Sequence, residues 1–223
     1  DKGNIWIDDV TRNSPFSSYG MSISGGEGGD HGYSYYLSGN YLNQQGIILN
    51  TSFQRYQGRL NFTKKFSSKA DFGVTLNVTH SNTSAASINF GANSSWLTSY
   101  VFLPPTMPVH KPDGTYATFN PDWYLGGGNI DNPVAILEKE TNVTPANNVL
   151  GNFYLQYELL PGLKLKSTLG VNFIHQRNSW YVPSDMPTKI LNNQMTGNTS
   201  SKQTNTSSLI NENTISYSKN IGP

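Results

Sequence analysis

The residue types that most often carry chemistry are few in this chain and lie far apart. The sequence has four histidines and no cysteine, so a thiolate metal site and a disulfide framework are both excluded. The histidines, at positions 31, 80, 110 and 175, lack the spacing of metal ligands. His80 and His175 each end an apolar row, which favours an interfacial side chain over a ligand. We therefore predict no metal site and no cofactor.

Two pairs of nearby carboxylates, Asp8 with Asp9 and Glu138 with Glu140, are candidates for an acid and a base. General acid–base catalysis needs a pair that faces across a cleft, and adjacency in sequence does not provide one. The glycine-rich stretch Gly25–Gly32 lacks the Lys and Ser or Thr of a phosphate-binding loop, so we interpret it as a turn. The sequence predicts no catalytic residue, and we expect the protein not to be an enzyme.

A more informative set of candidates lies in the long segment 84–147, which is rich in aromatic residues and prolines. A connection of this length is unusual unless it is functional. Within it we predict short helices at 93–102 and 133–140 and a Pro-Asp-Gly turn at 111–116. The side chains expected to contact a solute are Trp96, Tyr100, Tyr116, Trp123 and Tyr124. The alternative is that these rings pack the loop against its own barrel.

The elements that must position this segment are strands with one apolar and one polar face. Successive side chains of a strand point to opposite faces. Strict alternation marks Arg55–Thr63, Asp71–Ser81 and Leu150–Leu159. In the second of these, the apolar row consists of Phe72, Val74, Leu76 and Val78. Each such strand therefore separates an apolar environment from a polar one.

Seven strands of this kind are predicted, the last of them being the least regular. They are Pro15–Gly25, Gly32–Asn43, Arg55–Thr63, Asp71–Ser81, Leu150–Leu159, Leu163–Gln176 and Thr206–Lys219. A strand that crosses a bilayer needs roughly nine to eleven residues, whereas strands in soluble domains usually have about five or six. The length of these runs therefore favours a membrane barrel over a soluble sandwich.

Short and long connections alternate along the chain. The short ones are Gly26–His31, Lys64–Lys69 and Leu160–Gly162. The first two long ones are Gln44–Phe53 and the 84–147 segment. In outer-membrane barrels the periplasmic turns are tight and the extracellular loops are long. We therefore predict an all-β fold: an antiparallel transmembrane β-barrel segment in the bacterial outer membrane, with short periplasmic turns and long extracellular loops. The same parity places Asp1 outside and Pro223 on the periplasmic side.

Composition agrees with this prediction. Charged residues make up 13% of the chain, below the roughly one quarter usual in soluble domains. A net charge of +1 provides no basic stripe for phosphates, which argues against nucleic-acid binding. The sequence begins with neither Met nor a signal peptide. We therefore expect a piece of a longer protein.

Several tyrosines lie at strand positions where a membrane barrel would have its aromatic girdles. Trp and Tyr gather where hydrocarbon meets headgroups, since one end of the side chain is apolar and the other polar. The candidates for such girdles are Tyr33, Tyr35, Tyr56, Tyr157 and Tyr217. The alternative is that they are ordinary strand residues that pack on their neighbours.

Several stretches, taken in order, resemble one family. They are Asn4–Arg12 (NIWIDDVTR), Tyr19–Gly26 (YGMSISGG), Tyr33–Ile48 (YSYYLSGNYLNQQGII), Phe53–Phe62 (FQRYQGRLNF), Asn132–Glu138 (NPVAILE), Leu150–Thr168 (LGNFYLQYELLPGLKLKST) and Leu209–Tyr217 (LINENTISY). Together they are similar to SusC/RagA-like TonB-dependent transporters. The resemblance covers nearly the entire chain.

This resemblance implies an outer-membrane barrel with an amino-terminal plug, which imports oligosaccharides or peptides beneath a SusD-like surface lipoprotein. It implies that TonB acts through the plug. Residues 1–223 would then be a partial β-barrel domain without the plug and the remaining strands, in contact with outer-membrane lipid. The 84–147 segment would be an extracellular loop that takes part in lid docking and solute capture.

Two alternatives remain open at this point. A porin or adhesin barrel that does not use TonB would have the same strands and would need neither plug nor lid. A soluble glycan-binding β-sandwich would bury its apolar rows against a second sheet.

Overall fold

A computed structural model describes residues 3–86, 95–119, 130–191 and 196–219 of the chain. Its strands are β1 (Phe16–Glu27), β2 (Tyr33–Gln45), β3 (Ser52–Ser67), β4 (Ala70–Ser84), β5 (Thr141–Leu160), β6 (Leu163–Val182) and β7 (Asn198–Tyr217). Its helices are α1 (Trp6–Val10), α2 (Trp96–Phe102), α3 (Pro133–Lys139) and α4 (Pro187–Leu191). Each strand pairs antiparallel with the next, in one open sheet that follows chain order. The seven predicted strands are confirmed.

None of the helices in the described parts of the chain is both long enough and apolar enough to cross a membrane.

Several strands are longer than the sequence predicted. β5 begins at Thr141, so residues 141–147, which we assigned to the long loop, are strand. β2 and β3 are also longer than predicted, which shortens the predicted connection Gln44–Phe53 to residues 46–51. The prediction followed apolar alternation, which stops where polar residues begin, although the backbone hydrogen bonds continue. Ladder pairing thus extends the strands beyond their apolar part.

Tight turns lie at one end of the sheet and the larger connections at the other. The turns at residues 68–69 and 161–162 have two residues each, and the 28–32 turn is also short. Gly162 is required at its turn, because its φ is +82° and a Cβ there would lie 2.0 Å from the carbonyl oxygen of Ser218. The opposite end carries the connections 46–51, 85–140 and 183–197.

Strand register divides the side chains into two faces. Leu37 pairs with Leu60, and Leu60 pairs with Leu76, so all three lie on what we call the apolar face. The opposite polar face carries residues such as Arg59 and Asn77. This alternation holds from β1 to β6, whereas β7 places Asn211 and Asn213 on the apolar face.

The apolar face is open. Met21 is 80% exposed and Ile23 58% exposed. Within the described ranges every strand belongs to a single sheet, and no second sheet covers this face. The soluble sandwich required such a cover, which the described residues do not provide.

The dry core lies in the connections instead of under the sheet. The first loop cluster consists of Val10, Trp96, Val134, Ile136, Leu137, Val182 and Met186. The second loop cluster consists of Trp6, Leu103, Met107, Ala117 and Phe119. We call the described residues of 3–12, 46–51, 85–140 and 183–191 the loop assembly. Hydrophobic burial therefore stabilises a compact unit at the end of the sheet with the large connections.

Candidate functional site in the loop assembly

Helix α3 is the centre of the loop assembly. Its N-cap residue, Asn132, accepts hydrogen bonds through its side chain from the backbone N–H groups of Val134 (3.0 Å) and Ala135 (3.3 Å). Pro133 stands at the first helical position, where its missing N–H costs nothing. Residues 133–137 are all buried, since other parts of the assembly surround the helix. The helix predicted at 133–140 is confirmed.

Asn132 also fixes the hairpin formed by residues 109–117. Its Nδ2 donates to the carbonyl oxygens of Val109 (2.8 Å) and Ala117 (3.3 Å), one on each arm. The hairpin turns at Gly114, whose φ is +83°. Hydrogen bonds from the Thr115 side chain and backbone to Asp113 lower the pKa of that carboxyl. The predicted turn at 111–116 is confirmed, and one buried side chain joins it to α3.

The β6–β7 connection is tied to the same helix. Lys139 Nζ lies 2.6 Å from Asp185 Oδ2, in a partly exposed ion pair. The backbone N–H of Thr188 donates to Asp131 Oδ1 at 2.8 Å. Burial raises the pKa of Asp131, although this hydrogen bond opposes the shift. The two larger connections thus form one unit.

The chain before β1 joins this unit as well. The N–H of Leu49 donates to the carbonyl of Val10 at 3.0 Å. The Arg12 guanidinium donates to the carbonyls of Gly46 (3.2 Å) and Thr51 (2.8 Å). The predicted positions of Asp1 and Pro223 lie outside the described residues, but residues 3–12 lie at the end of the sheet with the large connections.

The loop assembly packs over the polar face of the sheet. Val182 belongs to the first loop cluster and Trp180 packs against that cluster. Both lie on the same face of β6 as Asn172, because side chains of alternate residues share a face. In a closed barrel this face would line the lumen, so the assembly would stand over the lumen's mouth.

The predicted contact residues have different surroundings. Trp96 is 7% exposed and lies inside the first loop cluster. Tyr100 is half-buried against the second loop cluster, and Tyr116 is half-buried against the first. Trp123 and Tyr124 lie outside the described residues. The structure therefore brings Trp96 into a core and leaves part of Tyr100 and Tyr116 accessible.

Tyr116 is surrounded by polar groups. Its hydroxyl donates to Glu138 Oε2, and its ring centre lies 4.8 Å from that of His110. The ammonium group of Lys139 lies 5.7 Å from the Tyr116 ring centre. Burial, followed by the bond to Glu138, raises the pKa of Tyr116 to about 12. This cluster of an aromatic ring, a carboxylate and a cation can hydrogen-bond a polar solute.

A polar cleft of about 440 Å³, missed by the sequence reasoning, lies where the strand ends meet the connections. Asn43, Gln45, Ser52 and Gln54 contribute from β2 and β3, and Ser84, Thr141 and Val143 from β4 and β5. The remaining lining residues are Arg12, Asn50, Glu138 and Glu140. In the sequence, the cleft is marked only by the polar residues at the strand ends. A search for alternating apolar residues does not find these positions.

An apolar tip, Val101 and Phe102, projects from the end of α2. These side chains are 62% and 58% exposed. They lie on the loop assembly, away from the apolar band of the sheet. Large exposed apolar side chains on a connection are candidates for a protein contact.

Histidines and carboxylates do not converge within the described ranges. No group of three or more His, Cys, Asp or Glu residues there is placed to hold a metal ion. His80 Nδ1 lies 2.8 Å from Asn147 Oδ1, and His175 Nδ1 lies 2.6 Å from Asn205 Oδ1. Both histidines thus bond across strands.

Comparison with curated proteins finds TonB-dependent receptors. The chain is 30% identical over 219 residues to TonB-dependent receptor P26 of Formosa agariphila, which covers 98% of the chain and 21% of that protein. It is 28% identical over 222 residues to TonB-dependent receptor P3 of the same organism, with 97% and 21% coverage. It is 25% identical over 183 residues to TonB-dependent receptor SusC of Bacteroides thetaiotaomicron, with 74% and 18% coverage. No family model matches the chain.

Solved structures show the same fold. The RagAB peptide importer in the 'closed-closed' state matches with a TM-score of 0.62 at 24% identity, covering 83% of this chain and 20% of that one. The 'open-open' state matches with a TM-score of 0.61 at 25% identity, covering 82% and 20%. The chain spans about a fifth of the length of these relatives.

Proposed function

We propose that this chain, which has the sequence and fold of a barrel segment of SusC/RagA-like TonB-dependent receptors, forms part of the wall and mouth of an outer-membrane importer. The observation that carries the proposal is the coincidence of two findings. Similarity to these receptors covers 98% of the chain, and the sheet has an exposed apolar face that hydrocarbon would cover. The relatives are named as receptors or importers, which is consistent with our expectation that this chain is not an enzyme.

The strands act as a passive wall in this proposal. The apolar face contacts outer-membrane lipid and the polar face contacts the lumen. TonB acts through a plug that lies outside this chain. Because the matched proteins are TonB-dependent receptors, we favour this function over a porin or adhesin barrel that does not use TonB.

The loop assembly acts at the mouth, where it docks a SusD-like lipoprotein and contacts the solute. Its position over the polar face supports this role, and the apolar tip offers an exposed patch for the lipoprotein. An oligosaccharide or a peptide is the proposed solute. Tyr116 and Tyr100 are its proposed contacts, together with Trp123 and Tyr124. Trp96 contributes only if the first loop cluster opens.

Lid docking is tested by placing Asp at the apolar tip of the full-length receptor, in the double variant Val101→Asp, Phe102→Asp. We expect loss of co-purification with the lipoprotein encoded beside the receptor gene. The matched control is Thr106→Asp, an exposed position of the same loop. Equal recovery of the lipoprotein with both variants would contradict docking at the apolar tip.

Import is tested by uptake of labelled oligosaccharides and peptides in cells that carry or lack the receptor gene. We expect receptor-dependent uptake that also requires TonB. Uptake that persists without TonB would favour the porin alternative, and uptake that is unchanged without the receptor would contradict the proposed function.

A further inference from the structure

Three features lie in series on the apolar face of the sheet, the first on β1 and β2 and the other two crossing β2 and β3. Nearest the turns is an apolar groove, next comes a row of aromatic side chains, and nearest the connections is the polar cleft. The order of the three follows from strand register, since each step of two residues stays on one face. Together they match the layout of an amphiphile.

The apolar groove has a volume of about 470 Å³ and is lined by Met21, Ile23, Leu37 and Gly39, with Ser22 and Ser38. Gly39 pairs directly with Gly58. A Cβ at either glycine would meet no atom within 4 Å. Neither glycine is therefore required by packing within this chain, and Gly39 leaves a gap in the apolar band that an alkyl chain fits.

The aromatic row consists of Tyr19, Tyr41, Tyr56 and His80, which are paired in that order across four strands. Their ring centres are separated by 6.4, 4.9 and 6.3 Å. The row lies two residues beyond the glycine pair, toward the connections. Phenol and imidazole groups suit the boundary between an apolar layer and a polar one.

The polar cleft begins one step further along the same face. Asn43 pairs with Gln54, and Gln45 pairs with Ser52. Their amide and hydroxyl groups can both donate and accept hydrogen bonds. Glu138 and Glu140, on its side toward the loops, would repel a phosphate. Arg12 also lines the cleft, but its guanidinium donates to the carbonyls of Gly46 and Thr51. The chemistry of the cleft therefore favours a neutral, hydroxyl-rich headgroup.

We propose that this face binds a glycolipid of the outer leaflet, with an acyl chain in the groove, its linkage region along the aromatic row and its sugar in the cleft. The inference rests on the proposed function, because it requires the apolar face to meet the membrane. The cleft shares Glu138 with the Tyr116 cluster that we propose to contact the solute, whereas the groove and the aromatic row lie on the face opposite the solute path.

The test uses the full-length receptor, stripped of lipid in detergent, with a synthetic monoglucosyl diacylglycerol as the probe and native mass spectrometry as the readout. Filling the groove with Gly39→Val should weaken binding of the probe by about tenfold or more. Asn43→Ala with Gln54→Ala should weaken the glucosyl lipid and leave dioleoylphosphatidylglycerol unaffected. The control, Phe173→Leu, changes an exposed residue of the apolar face on β6 and should bind as the parent does.

Three results would overturn the inference. The first is that the groove variant binds the glucosyl lipid as tightly as the parent does. The second is that the parent and the cleft variant bind the glucosyl lipid equally and also bind dioleoylphosphatidylglycerol equally. The third is that the parent receptor forms a dimer which the groove variant abolishes. Heat-modifiable assembly in the outer membrane is measured in parallel. A parent receptor that fails to reach the outer membrane contradicts the proposed function, whereas normal assembly without glycolipid binding contradicts only the site.

Discussion

The side chain of Asn132 lies 2.8 Å from the carbonyl oxygen of Val109 and holds the 109–117 hairpin against α3. The same amide caps the helix through its oxygen. One side chain thus satisfies buried backbone groups on two elements, at a position with no exposed surface. Unpaired buried backbone groups are costly, so this relationship links the order of the hairpin to that of the helix.

Replacing Asn132 should loosen the loop assembly without affecting the sheet. For Asn132→Ala we expect the free energy of unfolding of the loop assembly to fall by about 1–3 kcal/mol, because the cap and both donor bonds disappear. Asn132→Asp keeps the cap and loses the donor bonds, so the hairpin should loosen more than the helix. Limited proteolysis of intact cells measures the effect, with Thr106→Ala as control. Equal protection of all three variants would contradict this role.

A charge on the apolar face should impair membrane assembly far more than one on the polar face. Leu76→Arg near mid-bilayer should cost about 2–4 kcal/mol. Asn77→Arg, the next residue on the opposite face, should cost little. The heat-modifiable fraction of the full-length receptor compares the two variants. Equal assembly of both variants would count against the assigned faces.

The buried carboxyl of Asp131 should limit stability at neutral pH. Its pKa in the folded state is raised above the ordinary 3.8, so folding favours the protonated form. The cost of the charge is absent at pH well below 3.8 and grows as pH rises through the folded pKa. Asp131→Asn keeps an acceptor for the N–H of Thr188. At pH 8 its loop assembly should resist proteolysis at least as well as that of the parent. The advantage should shrink on acidification.

Proteolysis of the β6–β7 connection at pH 8 and in acid measures this effect. Asp131→Ala removes the acceptor as well as the charge and should be destabilised at both pH values. If Asp131→Asn is cleaved faster than the parent at pH 8, the ionised carboxylate is stabilising and the prediction is wrong.

Tyr116 should remain a hydrogen-bond donor throughout the ordinary pH range. With a pKa raised to about 12, the phenol's contribution is present below pH 10 and is lost as pH rises through 12. Tyr116→Phe should therefore lower the free energy of unfolding of the loop assembly by the same amount at pH 7 and pH 9. The loss should be less than about 1 kcal/mol, because the contact with Glu138 is exposed. Difference absorbance near 295 nm follows the phenol. Its ionisation near pH 10 in the parent would contradict the contact.

Sequence alternation predicted the strands, their order and their two faces, because these depend on a period of two that local residues specify. It missed the polar strand ends such as Thr141–Asn147, where backbone pairing alone continues the ladder. It marked Trp96 as a solute contact, whereas the ring is buried. Burial within a loop depends on distant partners such as Met186, which local pattern does not reveal.

The central claim is that the apolar face contacts hydrocarbon, and spin labels on β4 test it most directly. Single cysteines at 74, 75, 76, 77, 78 and 79 are introduced into a cysteine-free full-length receptor and labelled in bilayers. We predict higher oxygen accessibility at Val74, Leu76 and Val78, and preferential contact with a polar nickel reagent or burial by protein at the alternate positions. Low oxygen accessibility at the even positions, without a period of two, would contradict the account.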